Sequence, residues 1–291
     1  MAGAPPLLSA LDLRVDVDGV PACDGVAFST TGDRVLVLGA SRALFEATIG
    51  LRPVVRGKLE IRGVSPGAAI DSGTLAGVPL DPPLPPKWNL VEYIEWSSRL
   101  AGHGVSDAKR FASAAVSKMQ LGAMAKQPLA ALVPHARRAV VLASALATNA
   151  EVLVLEDPCA GLPEEIARSW ARILVGALDD KPWITFAARV PLTSPLALAA
   201  DEAVAVSSTR VLAQGAPAEI AAADKRYVAR VHGRVEPLAA RIVERGGRLE
   251  VQGAQVVIDL GESLTTAELL GLCIETDVTV VEMQPIARAL G

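Results

Sequence analysis

A chain of 291 residues, 51% hydrophobic and 21% charged, is long enough to bury a large core and is globular rather than disordered. Its formal net charge of −4 argues against a nucleic-acid-binding protein, which would present a basic surface. The three cysteines lie far apart without a CxxC pair, so we expect free thiols in a reducing compartment. Without an apolar run of about 18 residues or a basic N-terminal start, the sequence predicts neither a membrane span nor a signal peptide.

Strands and helices alternate through the first 206 residues. Period-two alternation at 11–17 predicts a half-buried strand, and the apolar run 34–38 predicts a central buried strand. Further strands are predicted at 25–29, 58–61, 151–155, 183–187 and 203–206, and helices at 43–49, 89–101, 108–119, 136–148 and 164–178. This order predicts a parallel α/β sheet with crossover helices.

The composition shifts near residues 221–225, and a second pattern follows. Strands are predicted at 227–232, 248–252, 255–260 and 278–283, and helices at 237–245 and 265–275. The resulting βαββαβ order is the ferredoxin-like split unit. We therefore predict two domains, 1–222 and 226–291, with a helical subdomain at about 88–150 in the first.

Two segments carry a resemblance to a known family. Residues 147–162 read ATNAEVLVLEDPCAGL, an apolar strand ending in an acidic pair and a proline, and residues 201–220 read DEAVAVSSTRVLAQGAPAEI. Together with residues 32–53 and 76–102, they resemble the cytoplasmic ATPase of a bacterial ATP-binding-cassette (ABC) transporter, and the similarity runs from 11 to 220.

The resemblance implies a P-loop NTPase-like ABC ATPase fold with a helical subdomain, followed by a small C-terminal ferredoxin-like α+β domain. The residues after 225 resemble the accessory domain of ABC-2-type exporter ATPases.

The phosphate-binding loop of the family has a shortened counterpart here. After Gly39 the loop is about four residues shorter than the P-loop pattern. The resemblance places Ser41 at the position of the lysine and Arg42 at that of the Mg-binding Ser or Thr. Either Arg42 still holds a phosphate or this is a plain tight strand–helix turn, and the missing cradle favours the turn.

The two acidic residues after the strand at 151–155 are transposed relative to the family. Glu156 stands at the position of the metal-binding Asp, and Asp157 at that of the catalytic Glu. A carboxylate shorter by one methylene falls about 1.5 Å short of its water, which costs about 100-fold in rate. The pair is interpreted either as a residual Mg or nucleotide site or as a solvated acidic pair, which we favour.

The loop that would contact the γ-phosphate on an opposite subunit also departs from the family. Val133, Pro134 and His135 replace Ser-Gly-Gly, which removes a hydroxyl and a backbone N–H and adds bulk. The histidines have no ligand spacing, so no metal site is predicted. Four more positions depart: Leu80 for the loop Gln or Glu, Ala188 for the switch His, Pro163 for the inter-subunit Asp and Val17 for the adenine-stacking aromatic.

An aromatic cluster marks the region that receives the membrane subunit in the family. Trp88, Tyr93 and Trp96 lie close together in a chain with only 3% aromatic residues. Such clusters are enriched at interface hot spots. Alternatively, Tyr93 and Trp96, three apart on one helix, pack into the core of the helical subdomain.

Together these departures predict a catalytically degenerate ABC subunit, a pseudo-ATPase that is not an enzyme and takes no ATP or Mg cofactor. Its partners would be membrane-spanning permease subunits, and it would form a homodimer or a heterodimer with another ABC ATPase. We expect a cytoplasmic protein, peripheral at the inner face of the plasma membrane. The alternatives are a weakly active ATPase using Arg42, Glu156 and Asp157, or a cytoplasmic scaffold of an envelope or motility machine.

Overall fold

The computed structural model describes residues 4–39, 41–191, 194–252, 255–261 and 263–288. The strands are β1 Leu8–Val17, β2 Val20–Ser29, β3 Arg34–Gly39, β4 Arg56–Ile61, β5 Leu75–Val78, β6 Val152–Glu156, β7 Trp183–Ala187, β8 Arg189–Pro191, β9 Glu202–Val206, β10 Val211–Gly215, β11 Arg226–His232, β12 Arg248–Gln252, β13 Gln255–Asp259 and β14 Thr279–Arg288. The helices are α1 Ser41–Thr48, α2 Pro66–Asp71, α3 Leu90–Leu100, α4 Val105–Lys118, α5 Pro134–Ala147, α6 Glu164–Ala177, α7 Pro195–Ala199, α8 Pro217–Asp224, α9 Val235–Glu244 and α10 Thr266–Glu275.

A six-stranded sheet in the order β10-β9-β3-β7-β6-β5 forms the centre of the molecule. Its strands from β9 to β5 pair in parallel, and β10 adds an antiparallel edge. Parallel strands covered on both faces are continuous apolar runs, and β3 fits this rule because residues 35–38 are at most 1% exposed. The predicted α/β sheet is confirmed.

One face of this sheet carries an antiparallel sheet in the order β2-β1-β4. Its apolar residues, including Leu13 and Val15, share a buried cluster with α1 and the facing side of the central strands. The other face carries α3, α5 and α6, whose buried residues form a second cluster with the opposite side of the same strands. Because β3, β7 and β6 are adjacent and parallel, their carboxyl ends lie together at one edge of the sheet. Open α/β sheets bind ligands at this edge.

The helical insertion between β5 and β6 is built from α3, α4 and α5. Asn89 caps α3 in a capping box with Glu92, as its sequence predicts. Helix α5 is buried along most of its length because it is rich in Ala, Val and Leu and lies between the sheet and its two neighbours.

The C-terminal residues form a five-stranded sheet in the order β12-β13-β11-β14-β8. Its strands pair antiparallel, and α9 and α10 pack against it around a separate core. This is the ferredoxin-like unit that the sequence predicts, with one difference. The edge strand β8 comes from residues 189–191 of the first predicted domain, so a strand of the sheet crosses the predicted domain boundary.

Short elements were missed by the sequence patterns: α2, β5, β8, α7, β10 and α8. Each is three to eight residues long, which is too short for its hydrophobic period to repeat often enough to be recognised. Within the described residues, no helix is both long and apolar enough to cross a bilayer.

Candidate nucleotide site and partner surface

The resemblance to ABC ATPases places a phosphate-binding loop at the corner where β3 ends. Gly39 has a positive φ of 112°, a conformation that glycine adopts without a Cβ penalty. Helix α1 begins at Ser41, so one residue, Ala40, separates strand and helix and lies outside the described residues. A loop that wraps backbone N–H groups around a phosphate needs several residues at this point.

A chain of charged side chains lies beside this turn. Arg42 Nε is 3.0 Å from Glu46 Oε1, one helical turn further along α1, and 3.8 Å from Glu156 Oε1 at the end of β6. The Arg42 side chain is 80% exposed, whereas Glu46 and Glu156 are 17% and 15% exposed. The predicted neighbourhood of Arg42 and Glu156 is thus present in the structure.

Glu46 is held from its other side by Arg52, which sequence reasoning missed. The Arg52 guanidinium donates to Glu46 through Nε at 2.8 Å and through Nη2, and its Nη1 donates to the Asp16 carbonyl at 2.9 Å. Burial alone would raise the pKa of Glu46, but the hydrogen bonds from Arg42 and Arg52 hold that pKa below its usual value. The sequence carried a signal for the Arg42–Glu46 pair, whose members lie four residues apart on α1, but this signal does not extend to Arg52.

The two acidic residues at the end of β6 are both engaged by backbone N–H groups. Glu156 Oε2 accepts from the Leu80 N–H at 3.0 Å, and Asp157 Oδ2 accepts from the Ala188 N–H at 3.2 Å. Asp157 has a positive φ of 29°, which is unusual for a residue with a side chain, and its own N–H donates to the Phe186 carbonyl at 2.7 Å. Burial raises the pKa of Asp157, and the hydrogen bond from Ala188 opposes this shift.

Arg138, on α5, fixes the loop that follows this acidic pair. Its guanidinium donates to the Pro158 carbonyl at 3.1 Å and to the Ala160 carbonyl at 2.7 Å, and burial lowers its pKa. Trp170 Nε1 donates to the same Pro158 carbonyl at 2.9 Å. These three hydrogen bonds connect α5 and α6 through the loop after β6, a role that the sequence gave no reason to assign to Arg138.

The start of α5 lies exposed at the surface. Val133 is the N-cap without a side-chain cap, Pro134 is the first helical residue, and Pro134 and His135 are both exposed. Pro163 likewise precedes α6 and is exposed. Val17, where the family has an aromatic residue, is half-buried against the cluster under the antiparallel sheet.

The aromatic cluster forms one surface. The Trp88 and Trp96 rings meet edge to face with centroids 5.5 Å apart, and Tyr93 lies 6.4 Å from Trp96. Trp88 and Tyr93 are partly buried against the core, whereas Trp96 is 43% exposed. Tyr93 therefore fits the interpretation that places it in the core, whereas Trp96, which that interpretation also places in the core, is exposed.

Comparison with known proteins supports the same fold. The chain is 26% identical over 195 residues to the cytochrome c biogenesis ATP-binding export protein CcmA of Paracoccus denitrificans (strain Pd 1222), covering 65% of this chain and 85% of that one. Among solved structures it resembles cbiO1 of Clostridium perfringens, part of the ABC transporter complex cbiONQ (TM-score 0.64, 19% identity, 74% of this chain and 90% of that one).

It also resembles MJ1267, an ATP-binding cassette of an ABC transporter (TM-score 0.62, 14% identity, 72% of this chain and 91% of that one). No family model matches the chain. Sequence and fold thus relate this chain to the ATP-binding subunits of ABC transporters, and the ABC ATPase fold is confirmed.

The comparisons contradict two expectations. The sequence analysis predicts a protein that is not an enzyme and takes no ATP or Mg cofactor. The relative found by sequence, however, is by name an ATP-binding export protein. One structural neighbour is the ADP conformation of MJ1267 (TM-score 0.60, 14% identity). The inference of a lost activity from the combined departures at these motifs was wrong, because the relative found by sequence is named as an ATP-binding protein.

The residues at the corner do not fit the usual phosphate cradle. One residue separates β3 from α1, and the cation at this position, Arg42, is paired with two carboxylates. An arginine beside Glu46 and Glu156 is already neutralised, which weakens its attraction for an anion. A nucleotide at this corner would therefore be held without the standard loop.

Proposed function

We propose that this chain is the ATP-binding subunit of an ABC transporter of the ABC-2 exporter type, seated on membrane-spanning permease subunits at the inner face of the membrane. The observation that carries the proposal is the combined architecture. The antiparallel β2-β1-β4 sheet, the six-stranded sheet and the helical insertion α3–α5 all occur in the order of an ABC ATPase. The C-terminal ferredoxin-like unit is its accessory domain.

The surface around Trp96 supports a permease partner. Trp96 is exposed on α3, Trp88 lies in the loop before that helix, and their rings are in contact. An aromatic residue half in solvent with a rigid aromatic support is typical of an interface hot spot. The subunit pairs with a second ABC-type subunit, its own copy or another, across the face that carries His135 and Pro163.

Recovery of the chain from membranes tests this function. The tagged full chain is purified from detergent-solubilised membranes of its host, and we expect subunits with several membrane-spanning helices to come with it. The Trp96→Ala variant should lose at least 30-fold in affinity, because truncating a hot spot costs about 2 kcal/mol or more. Leu198→Ala is the control, since Leu198 is a 76% exposed apolar side chain on α7 and is not part of the aromatic cluster.

Two outcomes would contradict the proposal. Recovery of water-soluble proteins without a membrane subunit would favour the scaffold of an envelope or motility machine. Equal recovery with wild type, Trp96→Ala and Leu198→Ala would show that the aromatic surface is not the permease interface.

The second candidate is a weakly active ATPase with an unusual site, favoured by the contact between Arg42 and Glu156. Phosphate release by the full chain with Mg-ATP is compared for wild type, Arg42→Ala and the control Arg110→Ala, an exposed arginine on α4. Activity lost with Arg42→Ala and kept with Arg110→Ala supports this site. Equal release by all three preparations argues against it.

A further inference from the structure

The C-terminal domain is attached to the rest of the molecule at two places. Helix α8 joins it directly to β10, and β11 follows after Lys225. At its other end, β14 leaves the domain's own sheet after Pro285 and continues as a partner of β8, with Ile286 opposite Pro191 and Arg288 opposite Arg189.

The second attachment falls beside the candidate site. Strand β8 begins one residue after Ala188, whose N–H donates to Asp157 Oδ2 at 3.2 Å. Strand β7 ends one residue before Ala188, and the carbonyl of its residue Phe186 accepts from the Asp157 N–H at 2.7 Å. Asp157 is thus tied to both sides of the short segment that joins the central sheet to the C-terminal sheet.

The backbone conformation of Asp157 depends on this segment staying in place. Its φ of 29° is a conformation that an L-residue keeps only when its surroundings hold it there. The Ala188–Asp157 hydrogen bond is exposed, and β8 is held beside it by its pairing with β14 and by Val190, which is 5% exposed and packs in the core. Short exposed ladders open easily on their own, and a second strand beside one raises the free energy of opening.

We propose that the end of β14 is a strap through which the C-terminal domain controls the position of Asp157. In this arrangement a ligand or partner that moves the domain loosens β14 from β8, and the Ala188–Asp157 hydrogen bond opens with it. The strap is independent of whether the chain binds ATP, since it is built from backbone pairs within the chain.

Two shortened chains test the strap by amide hydrogen exchange. A chain ending at Pro285 keeps the pairs between β14 and β11 and loses those with β8, whereas a chain ending at Arg288 keeps both sets. We expect the amides of Ala188 and Val190 to exchange at least tenfold faster in the chain ending at Pro285. In the chain ending at Arg288 they should exchange as in the full-length protein.

Protection in β11 and β13 shows in the same experiment whether the domain stays folded. Unchanged exchange at Ala188 in the chain ending at Pro285, with β11 protected, would overturn the proposal. Loss of β11 protection would also overturn it, because the end of β14 would then belong to the domain's own fold and would not be a separate attachment.

Discussion

Two arginines that share one carboxylate give a direct test of the charged chain beside the β3–α1 turn. Arg52 is 24% exposed, donates to Glu46 and also to the Asp16 carbonyl on β1, whereas Arg42 is 80% exposed. Methionine removes the charge of either arginine and keeps most of its length. Because Glu46 is only 17% exposed, losing Arg52 leaves a largely buried carboxylate with one weak partner.

We expect Arg52→Met to lower the free energy of unfolding by about 2–3 kcal/mol. Breaking a fully buried pair costs about 3–5 kcal/mol, and partial exposure reduces this figure. Arg42→Met should change stability within the scatter of repeated measurements, since exposed ion pairs contribute little. Urea unfolding followed by the fluorescence of the buried Trp170 and Trp183 measures both variants.

The pH dependence of the free energy of unfolding gives a second test of the contact between Arg52 and Glu46. Hydrogen bonds from the two arginines lower the pKa of Glu46 in the folded state, so its stabilisation is present above the usual carboxylate pKa of about 4.3 and is lost as pH falls through the lowered value. The difference between wild type and Arg52→Met should therefore narrow below about pH 4. Equal losses for Arg52→Met and Arg42→Met, or a gap independent of pH, would refute this account of Glu46.

Three further predictions concern other parts of the molecule. Glu202 is 6% exposed and accepts hydrogen bonds from the N–H groups of Thr31 and Gly32 and from the Gln214 side chain. Burial alone would raise the pKa of Glu202, but these hydrogen bonds lower it. Glu202→Ala should therefore lower the free energy of unfolding in urea by about 3 kcal/mol, and this difference should shrink as pH falls below about 4. Leu142→Ala, at a fully buried position of α5, should cost about 2–5 kcal/mol by the same measurement. Burial raises the pKa of Cys159 to about 11, so iodoacetamide at pH 8 should leave it unmodified in the native protein and alkylate it in urea.

Long apolar elements were predictable because their periodicity spans several repeats. Strands β3 and β6 read as unbroken apolar runs and both lie in the central sheet, where parallel strands must be covered on each face. The ferredoxin-like unit was predictable for a related reason, since its order of strands and helices admits few topologies.

The strand β8 was not predictable from local pattern. It has three residues, one of them proline, and exists because β14 extends past β11 and finds a partner. Its pairing joins residues almost a hundred positions apart in sequence, and the hydrophobic pattern of Arg189–Pro191 is too short to predict a strand. The same holds for Arg138, whose role depends on where the loop after β6 passes.

At the candidate site, sequence identified the residue types and the structure supplied their partners. Glu156 and Asp157 were read as a solvated acidic pair or a residual nucleotide site. In the structure Glu156 is 15% exposed and Asp157 is buried enough to raise its pKa, and each accepts a backbone hydrogen bond. Glu156 does not fit the description of a solvated pair, because its carboxylate is largely buried, whereas the hydrogen bond from Ala188 to Asp157 is exposed.

These two carboxylates hold two different loops, so the acidic pair has a structural role under either of the two proposed functions. Glu156 anchors the Leu80 N–H at the start of the segment that leads to Trp88 and the aromatic surface. Asp157 anchors the Ala188 N–H beside β8 and the C-terminal domain. Because the two hydrogen bonds hold different segments, a substitution of Glu156 frees the segment that begins at Leu80, and a substitution of Asp157 frees the segment at Ala188.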